Sequence, residues 1–262
     1  MAQIVMSSFY RLKKYLQYRL KARSKYYLHS PFIFQFYLLV LEPKDDENLK
    51  KVCSLRTQWA SDQSLLPITE LGTGTAQAKT ISSLVSKVAV KHRYGKVLYA
   101  LVSYFKPETI LEIGTSIGIS SAYMASAASG SKFISLEGNP AAVEKAALFH
   151  SSLGIKNARL ISGDFKETLL PALTSLGKLD MAFIDGNHTY QATLSYFEAC
   201  LPFTNEHSVL VFDDIYWSKG MTRAWQQIKA HPQVRVSIDI YQFGIVCFRK
   251  QNLAKEDFVL WY

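Results

Sequence analysis

The sequence predicts an α/β protein: a doubly wound, mostly parallel sheet with one antiparallel C-terminal strand, preceded by a basic, mainly helical extension over residues 1–107. From Glu108 onward, short β-rich runs (109–114, 132–137, 158–163, 179–185 and 208–213) alternate with helical ones starting near 118, 140, 166, 189 and 218. Strands separated by helices are parallel, with right-handed crossovers. The last two runs, 234–240 and 243–250, are joined by only a few residues around Tyr241 and Gln242, too few to cross a sheet, so they make an antiparallel hairpin. A sheet domain over 108–262 follows.

In the extension, residues 9–28 place Leu12, Leu16 and Leu20 at steps of four with Lys and Arg between them, a basic amphipathic helix. It is expected to end near His29-Ser30-Pro31, because the residue before a proline avoids helical geometry, and Ser30 is suited to cap an apolar helix beginning at Pro31. The polar run Pro43-Lys-Asp-Asp-Glu-Asn makes a turn before another helical stretch, and 76–105 reads as helical.

At 48% hydrophobic over 262 residues the chain has ample material for a packed core, so disorder is not expected beyond the ends. Cys53, Cys200 and Cys247 are odd in number and scattered, which argues against a disulfide framework or a zinc site and for a reducing, cytoplasmic setting. The longest apolar stretch, Phe32 to Leu41, is interrupted by Gln35 and falls far short of the roughly 20 residues of a transmembrane helix. The net charge of +9 belongs to the N-terminal part: residues 1–60 hold 11 Lys/Arg against 4 Asp/Glu, whereas residues 110–262 hold 13 against 14.

The segment Thr109-Ile-Leu-Glu-Ile-Gly-Thr-Ser-Ile-Gly-Ile-Ser runs a buried strand into a turn where Gly114 and Gly118 let the backbone approach a ligand. Ser116 between them, and glycines four apart, set it apart from the dinucleotide fingerprint G-x-G-x-x-G. A sulfonium amino acid instead needs a nearby carboxylate, which Glu112 supplies directly or through water. The next strand ends at Glu137, placed to accept hydrogen bonds from both hydroxyls of a ribose; NAD-binding proteins put an acid in a similar place. Its alternative role as a helix cap is filled by Asn139 before Pro140. The third strand ends in Ser162-Gly163-Asp164-Phe165, where Asp164 faces an adenine amino group and Phe165 lies on the ring; Asp164 with Glu167 also fits a capping box. A second glycine-rich run, Glu70-Leu-Gly-Thr-Gly-Thr-Ala, lacks a following strand that ends in an acid and reads as a loop and helix start.

Strand four ends in Phe183-Ile-Asp185-Gly-Asn187-His188 and strand five in Val211-Phe-Asp213-Asp214. If the two strands are neighbours, as the order of the family that this chain resembles (below) implies, their ends open on one edge and Asp185, Asp213 and Asp214 converge; a divalent cation, Mg²⁺ for an all-oxygen set, is the ordinary relief for that clustering. A bound Mg²⁺ lowers the pKa of an acceptor hydroxyl, and His188 takes the proton as general base. Taken singly, Asp185-Gly186 and Asp213-Asp214 also make turns that cap the following helices. Trp217, Met221 and Trp225 form a stripe usual for core packing, with Tyr216 and Trp217 close enough to the acids to wall an acceptor pocket.

The order of these elements over residues 108–250 resembles the class I S-adenosylmethionine-dependent methyltransferases, of Rossmann-like fold. Leu111-Glu-Ile-Gly-Thr-Ser-Ile-Gly-Ile-Ser resembles the catechol-type O-methyltransferase branch in particular. Asp-x-x-His followed by Asp-Asp is similar to the metal-dependent sugar O-methyltransferases, whereas catechol-type enzymes carry Lys at the His position and Asn for the second Asp. The resemblance implies S-adenosylmethionine held by Glu112, Gly114, Ser116, Gly118, Glu137, Gly163, Asp164, Phe165 and Asp185. It implies Mg²⁺ on Asp185, Asp213 and Asp214, with His188 and Asp185 catalytic and a small hydroxylated acceptor, a sugar or a phenol. Leu28-His-Ser-Pro-Phe32 and the helix before it look like an extension carried by some bacterial members.

Two other readings stay open. The basic N-terminus suits an RNA or other nucleic-acid methyltransferase, although a base N-methyltransferase would carry an Asn/Asp-Pro-Pro-Tyr-like loop where Asp-Gly-Asn-His stands. The same helix on a non-catalytic domain would be a partner- or membrane-surface-binding module, set against a plain solvated face whose Lys and Arg stems lie over apolar surface. The sequence leaves the oligomeric state open, a homodimer included.

Overall fold

The computed structural model describes residues 2–69, 76–251 and 254–262. In chain order the elements are α1 (Ala2–Lys21), α2 (Pro31–Phe36), a π-helical turn (Tyr37–Leu41), α3 (Glu47–Trp59), β1 (Leu65–Thr69), β2 (Ala76–Thr80), α4 (Ile81–Lys87) and α5 (His92–Phe105). There follow β3 (Thr109–Ile113), α6 (Ile119–Ala127), β4 (Lys132–Glu137), α7 (Pro140–Ser152), β5 (Ala158–Ser162), α8 (Phe165–Leu176), β6 (Leu179–Ile184) and α9 (Tyr190–Cys200). The chain closes with β7 (Thr204–Phe212), α10 (Lys219–Ala230), β8 (Val236–Asp239), β9 (Gly244–Cys247) and β10 (Glu256–Val259).

The strand order of the main sheet is β10-β8-β9-β7-β6-β3-β4-β5. The pairs β3–β4, β4–β5, β6–β7 and β8–β10 are parallel. The expected C-terminal hairpin is present, with β9 antiparallel to both β7 and β8. The chain divides into two compact units, Gln35–Leu176 and Met1–Phe34 with Gly177–Tyr262.

Within Gln35–Leu176, β3 is buried along its whole length and β4 everywhere but its ends, the near-continuous burial that helices on a parallel sheet impose. The pairing Glu112↔Ser135 and Glu137↔Ser162 fixes where the acids of the second and third strands emerge. Tyr123 of α6 is fully buried, lies against Gly95 of α5 and pairs its hydroxyl with His92 Nδ1 at 3.1 Å and Cys53 Sγ of α3 at 3.7 Å. Asp46 caps α3 by accepting from Leu49 N, and the Tyr99 hydroxyl donates to its other oxygen.

One sequence expectation fails here. Residues 76–80 form a strand rather than the start of a helix, because Leu65–Thr69 offers them five antiparallel ladder positions, from Leu65↔Thr80 to Thr69↔Ala76. Cross-strand pairing overrides a local preference that is weak by comparison. The loop expected at Glu70–Thr75 lies outside the described residues.

Within the other unit, Trp225, Phe183, Phe212 and Phe243 fill the core. Gly244 is required there, since a Cβ on it would stand 2.8 Å from the Trp225 ring. Met221 and Trp225 are core residues of α10, as a stripe of that spacing ordinarily is, while Trp217 precedes the helix and is 43% exposed. Helix α1 docks here through tyrosines: Tyr18 is buried and donates to Leu260 O at 2.6 Å, Tyr10 donates to Thr222 Oγ1 at 2.8 Å, and Tyr241 donates to Arg11 O at 3.1 Å. The helix stops at Lys21, earlier than His29. Arg23 is drawn into a parallel bridge with Leu260, its amide donating to Val259 O and its carbonyl accepting from Trp261 N. Those bonds hold Arg23 extended, which helical geometry does not allow.

The Gly95–Tyr123 contact sets the first test. Alanine normally gains about 1 kcal/mol over glycine inside a helix, but a Cβ at Gly95 would lie 2.4 Å from the buried ring, an overpacking that costs about 1–3 kcal/mol. The Gly95→Ala variant is expected to melt lower than wild type by a few degrees, on the order of 2–4 °C. A melting temperature at or above wild type would contradict the packing.

Candidate functional site

The turn after β3 carries positive φ at alternate positions, Gly114 (99°), Ser116 (48°) and Gly118 (84°). Such geometry is strained for Ser116 and free only for glycine. Gly118 is also sterically obligatory, its notional Cβ falling 2.8 Å from the Ala146 backbone of α7. What holds Ser116 in place is Glu137. One carboxylate oxygen accepts from Ser116 N at 2.7 Å and the other from Asn139 N at 2.9 Å, so the turn after β3 and the turn after β4 are tied to a single side chain. Leu136 O adds to the tie by accepting from the amides of Gly114 and Thr115. Asn139 caps α7 by accepting from Ala141 N and Ala142 N, which leaves Glu137 free of that duty as the sequence suggests.

Glu112 has no exposed surface. Ser135 donates its hydroxyl to one oxygen, and the other oxygen has no hydrogen-bond partner. Burial pushes its carboxyl up to about 7, against the lowering effect of the neighbouring serine hydroxyls. This predicted ligand acid lies buried beneath the turn with one oxygen left without a partner. Asp164 realises its capping reading: Oδ1 accepts from Lys166 N at 2.9 Å, and its carbonyl accepts from Glu167 N and Thr168 N. The side chain is exposed at the start of α8, with Gly163 before it bound to Glu137 O and half-buried Phe165 after it. Sequence reasoning missed Ser135 and the His150–Ser121 pair, 2.8 Å apart and buried between α7 and α6. Both are polar residues at core positions of their elements, and that was the available signal.

In the other unit, Asp185 follows β6, and His188 Nε2 lies 3.4 Å from its Oδ1. Asp213 follows β7, is 4% exposed, bonds to the side chains of Asp185 and Gln242, and accepts from Asp214 N at 2.7 Å. Burial, followed by the charge of Asp214, drives the Asp213 carboxyl well above the usual range. Burial lowers the pKa of His188, and the negative Asp214 opposes that shift. The His188 and Trp217 rings lie 6.3 Å apart, and Tyr216 donates to buried Asp239.

The predicted set Asp185, His188, Asp213 and Asp214 is brought together at the ends of β6 and β7. Among the described residues no three His, Cys, Asp or Glu side chains could hold a metal ion.

Residues 111–215, which span both clusters in sequence, match the family model for a methyltransferase domain. The fold of the chain is similar to three solved structures. The O-methyltransferase TomG of Streptomyces achromogenes, involved in tomaymycin synthesis and in complex with SAM, is 20% identical, with 83% of this chain and 95% of that chain covered and a TM-score of 0.56. The O-methyltransferase of Bacillus cereus in complex with SAH is 21% identical, with 84% and 97% covered and a TM-score of 0.56. Cofactor-bound Rv0187 from MTB is 20% identical, with 85% and 98% covered and a TM-score of 0.57. No curated protein matches in sequence.

The buried Glu112 carboxyl sets a pH dependence. It binds its proton more tightly folded than unfolded, so the folded state holds more protons between its ordinary value of 4.5 and about 7. Stability falls across that window and levels off above it. The difference in unfolding free energy between Glu112→Gln and wild type is expected to shift toward the variant by on the order of 3 kcal/mol from pH 4.5 to 7.5, read from urea midpoints. A difference constant with pH would mean that the carboxyl ionises normally.

Proposed function

We propose that this protein transfers a methyl group from S-adenosylmethionine to a hydroxyl of a small acceptor. The observation that carries the reading is the Glu137 carboxylate, fixed by two backbone amides at the end of β4 in the stretch that matches the methyltransferase-domain model. The amides orient its lone pairs before any ligand arrives, and a positioned anion at that strand end suits the vicinal hydroxyls of a ribose. The partnerless oxygen of buried Glu112 is a second feature that suits a polar ligand over the same turn. Gly114, Ser116 and Gly118 would shape the turn around it, with Gly163, Asp164 and Phe165 at the base side. That TomG and the Bacillus cereus enzyme are O-methyltransferases described with SAM and SAH supports both the cofactor and the reaction.

When bound, the cofactor supplies a methyl group on a positively charged sulfur. His188 does the proton work: its lowered pKa keeps the ring neutral near pH 7, so it can take the acceptor hydroxyl's proton as the oxygen receives the methyl group. Asp185, 3.4 Å from the His188 ring, orients the base and stabilises the imidazolium that forms. Trp217, exposed beside His188, supplies an aromatic wall for a small acceptor. Divalent-metal assistance would need Asp214 to join Asp185 and Asp213 around a cation, and the proton route through His188 does not use one.

Transfer of labelled methyl from S-adenosylmethionine to a panel of small sugars and phenols tests the reading. The His188→Ala variant is expected to lose about 100-fold or more in kcat with little change in KM. Unchanged kcat would remove His188 from the reaction, and transfer to none of the acceptors by wild type would remove the reading itself. Activity is expected to survive a chelator. Loss with chelator and recovery with Mg²⁺ would show that the three acids regroup around a metal.

A further inference from the structure

Helix α1 packs with the face that sequence patterning would leave outside. Tyr10, Arg11, Lys14, Tyr15 and Tyr18 lie toward the domain, with the Arg11 guanidinium 4.5 Å from the Trp217 ring centroid and Tyr15 and Tyr18 against Tyr241. The apolar stripe points to solvent: Phe9 is 70% exposed, Leu12 55%, Leu16 56% and Leu20 88%. Just beyond the helix, Tyr26 and Tyr27 are 84% and 67% exposed. At 100° per residue these four helical side chains fall within a single narrow stripe, flanked by exposed Lys13 on one side and exposed Arg19 on the other.

The charge around the stripe has one sign. Residues 1–41 contain seven Lys/Arg, namely Arg11, Lys13, Lys14, Arg19, Lys21, Arg23 and Lys25, and no Asp or Glu. No described helix is long and apolar enough to cross a membrane, so the stripe does not span one. We propose that α1 lies in the interface of an anionic lipid bilayer, with Phe9, Leu12, Leu16 and Leu20 entering the acyl boundary while Lys13, Arg19, Lys21 and Arg23 meet lipid phosphates. Amphipathic helices with basic flanks and an apolar stripe bind in this way, each cation near the surface adding to the attraction. A second copy of the chain fits less well, because facing stripes would bring two basic helices together with no acid in residues 1–41 to offset them. The surface does not depend on catalysis, and its exposed leucines make no contact that the fold needs.

Sedimentation with vesicles of phosphatidylcholine, with and without phosphatidylglycerol, tests the proposal on the full chain. Binding is expected to the anionic vesicles, to weaken as salt rises, and to fall by on the order of tenfold or more in Leu16→Glu/Leu20→Glu. The variant is expected to keep the wild-type melting temperature, because both side chains are largely exposed. A Lys13→Gln/Arg19→Gln variant separates the charge contribution and is expected to bind anionic vesicles more weakly than wild type. Absence of anionic vesicle binding by wild type, equal binding by the leucine variant, or a wild-type dimer that the leucine substitutions dissociate would each overturn the proposal, the last in favour of a second copy.

Discussion

A single carboxylate organises the two turns that follow β3 and β4. Glu137 accepts from Ser116 N and Asn139 N, and the first of these bonds holds a non-glycine residue at φ 48° in the turn between β3 and α6. Positive φ at a serine costs of order 1–3 kcal/mol unless the surroundings over-determine it. A charge-assisted bond of 2.7 Å is strong enough to offset much of that. Without the acid, the turn has two glycines free to adopt other conformations and no anion to fix it. The fold delivers Glu137 there by register: β4 pairs with β3 at Glu112↔Ser135, so the strand runs out two residues later beside the Gly114 turn.

The acids of this chain divide by how they meet the problem of burial. Glu137 stays at the surface end of its strand and is satisfied by amides. Glu112 is sealed, keeps one bond from Ser135, and gains protons as its pKa rises to about 7. Asp213 is sealed beside other carboxylates, and burial raises its pKa above the usual range. Burying a carboxyl in its neutral form is the ordinary outcome when no cation stands against it.

The alternation of strands and helices from Thr109 to Phe212 was legible because each element is long enough to show its period and the turns carry Gly, Asn, Asp or Pro. The α7 cap at Asn139 was readable for the same reason, and the cap settled that Glu137 had another task. The strand at Ala76–Thr80 was not legible, because its only warrant is the partner at Leu65–Thr69. Nor was β10, whose four residues join the sheet beside β8. The stop of α1 at Lys21 depends on Leu260, more than 200 residues away. Among site residues, the positions of Asp185, His188, Asp213 and Asp214 followed from strand ends, but the depth of Asp213 and the orientation of α1 depend on packing that no local pattern encodes. The apolar stripe of α1 was visible as a stripe; which way it faces was not.

The central claim is that the Glu137 clamp prepares a nucleoside site. Calorimetric titration of S-adenosylhomocysteine into wild type and into Glu137→Ala tests it most directly, with melting curves to confirm that both proteins are folded. The account predicts saturable binding to wild type and a loss of about 100-fold or more in the variant, since the anion and the order of the turn disappear together. No binding to folded wild type, or equal affinity in the folded variant, would contradict it.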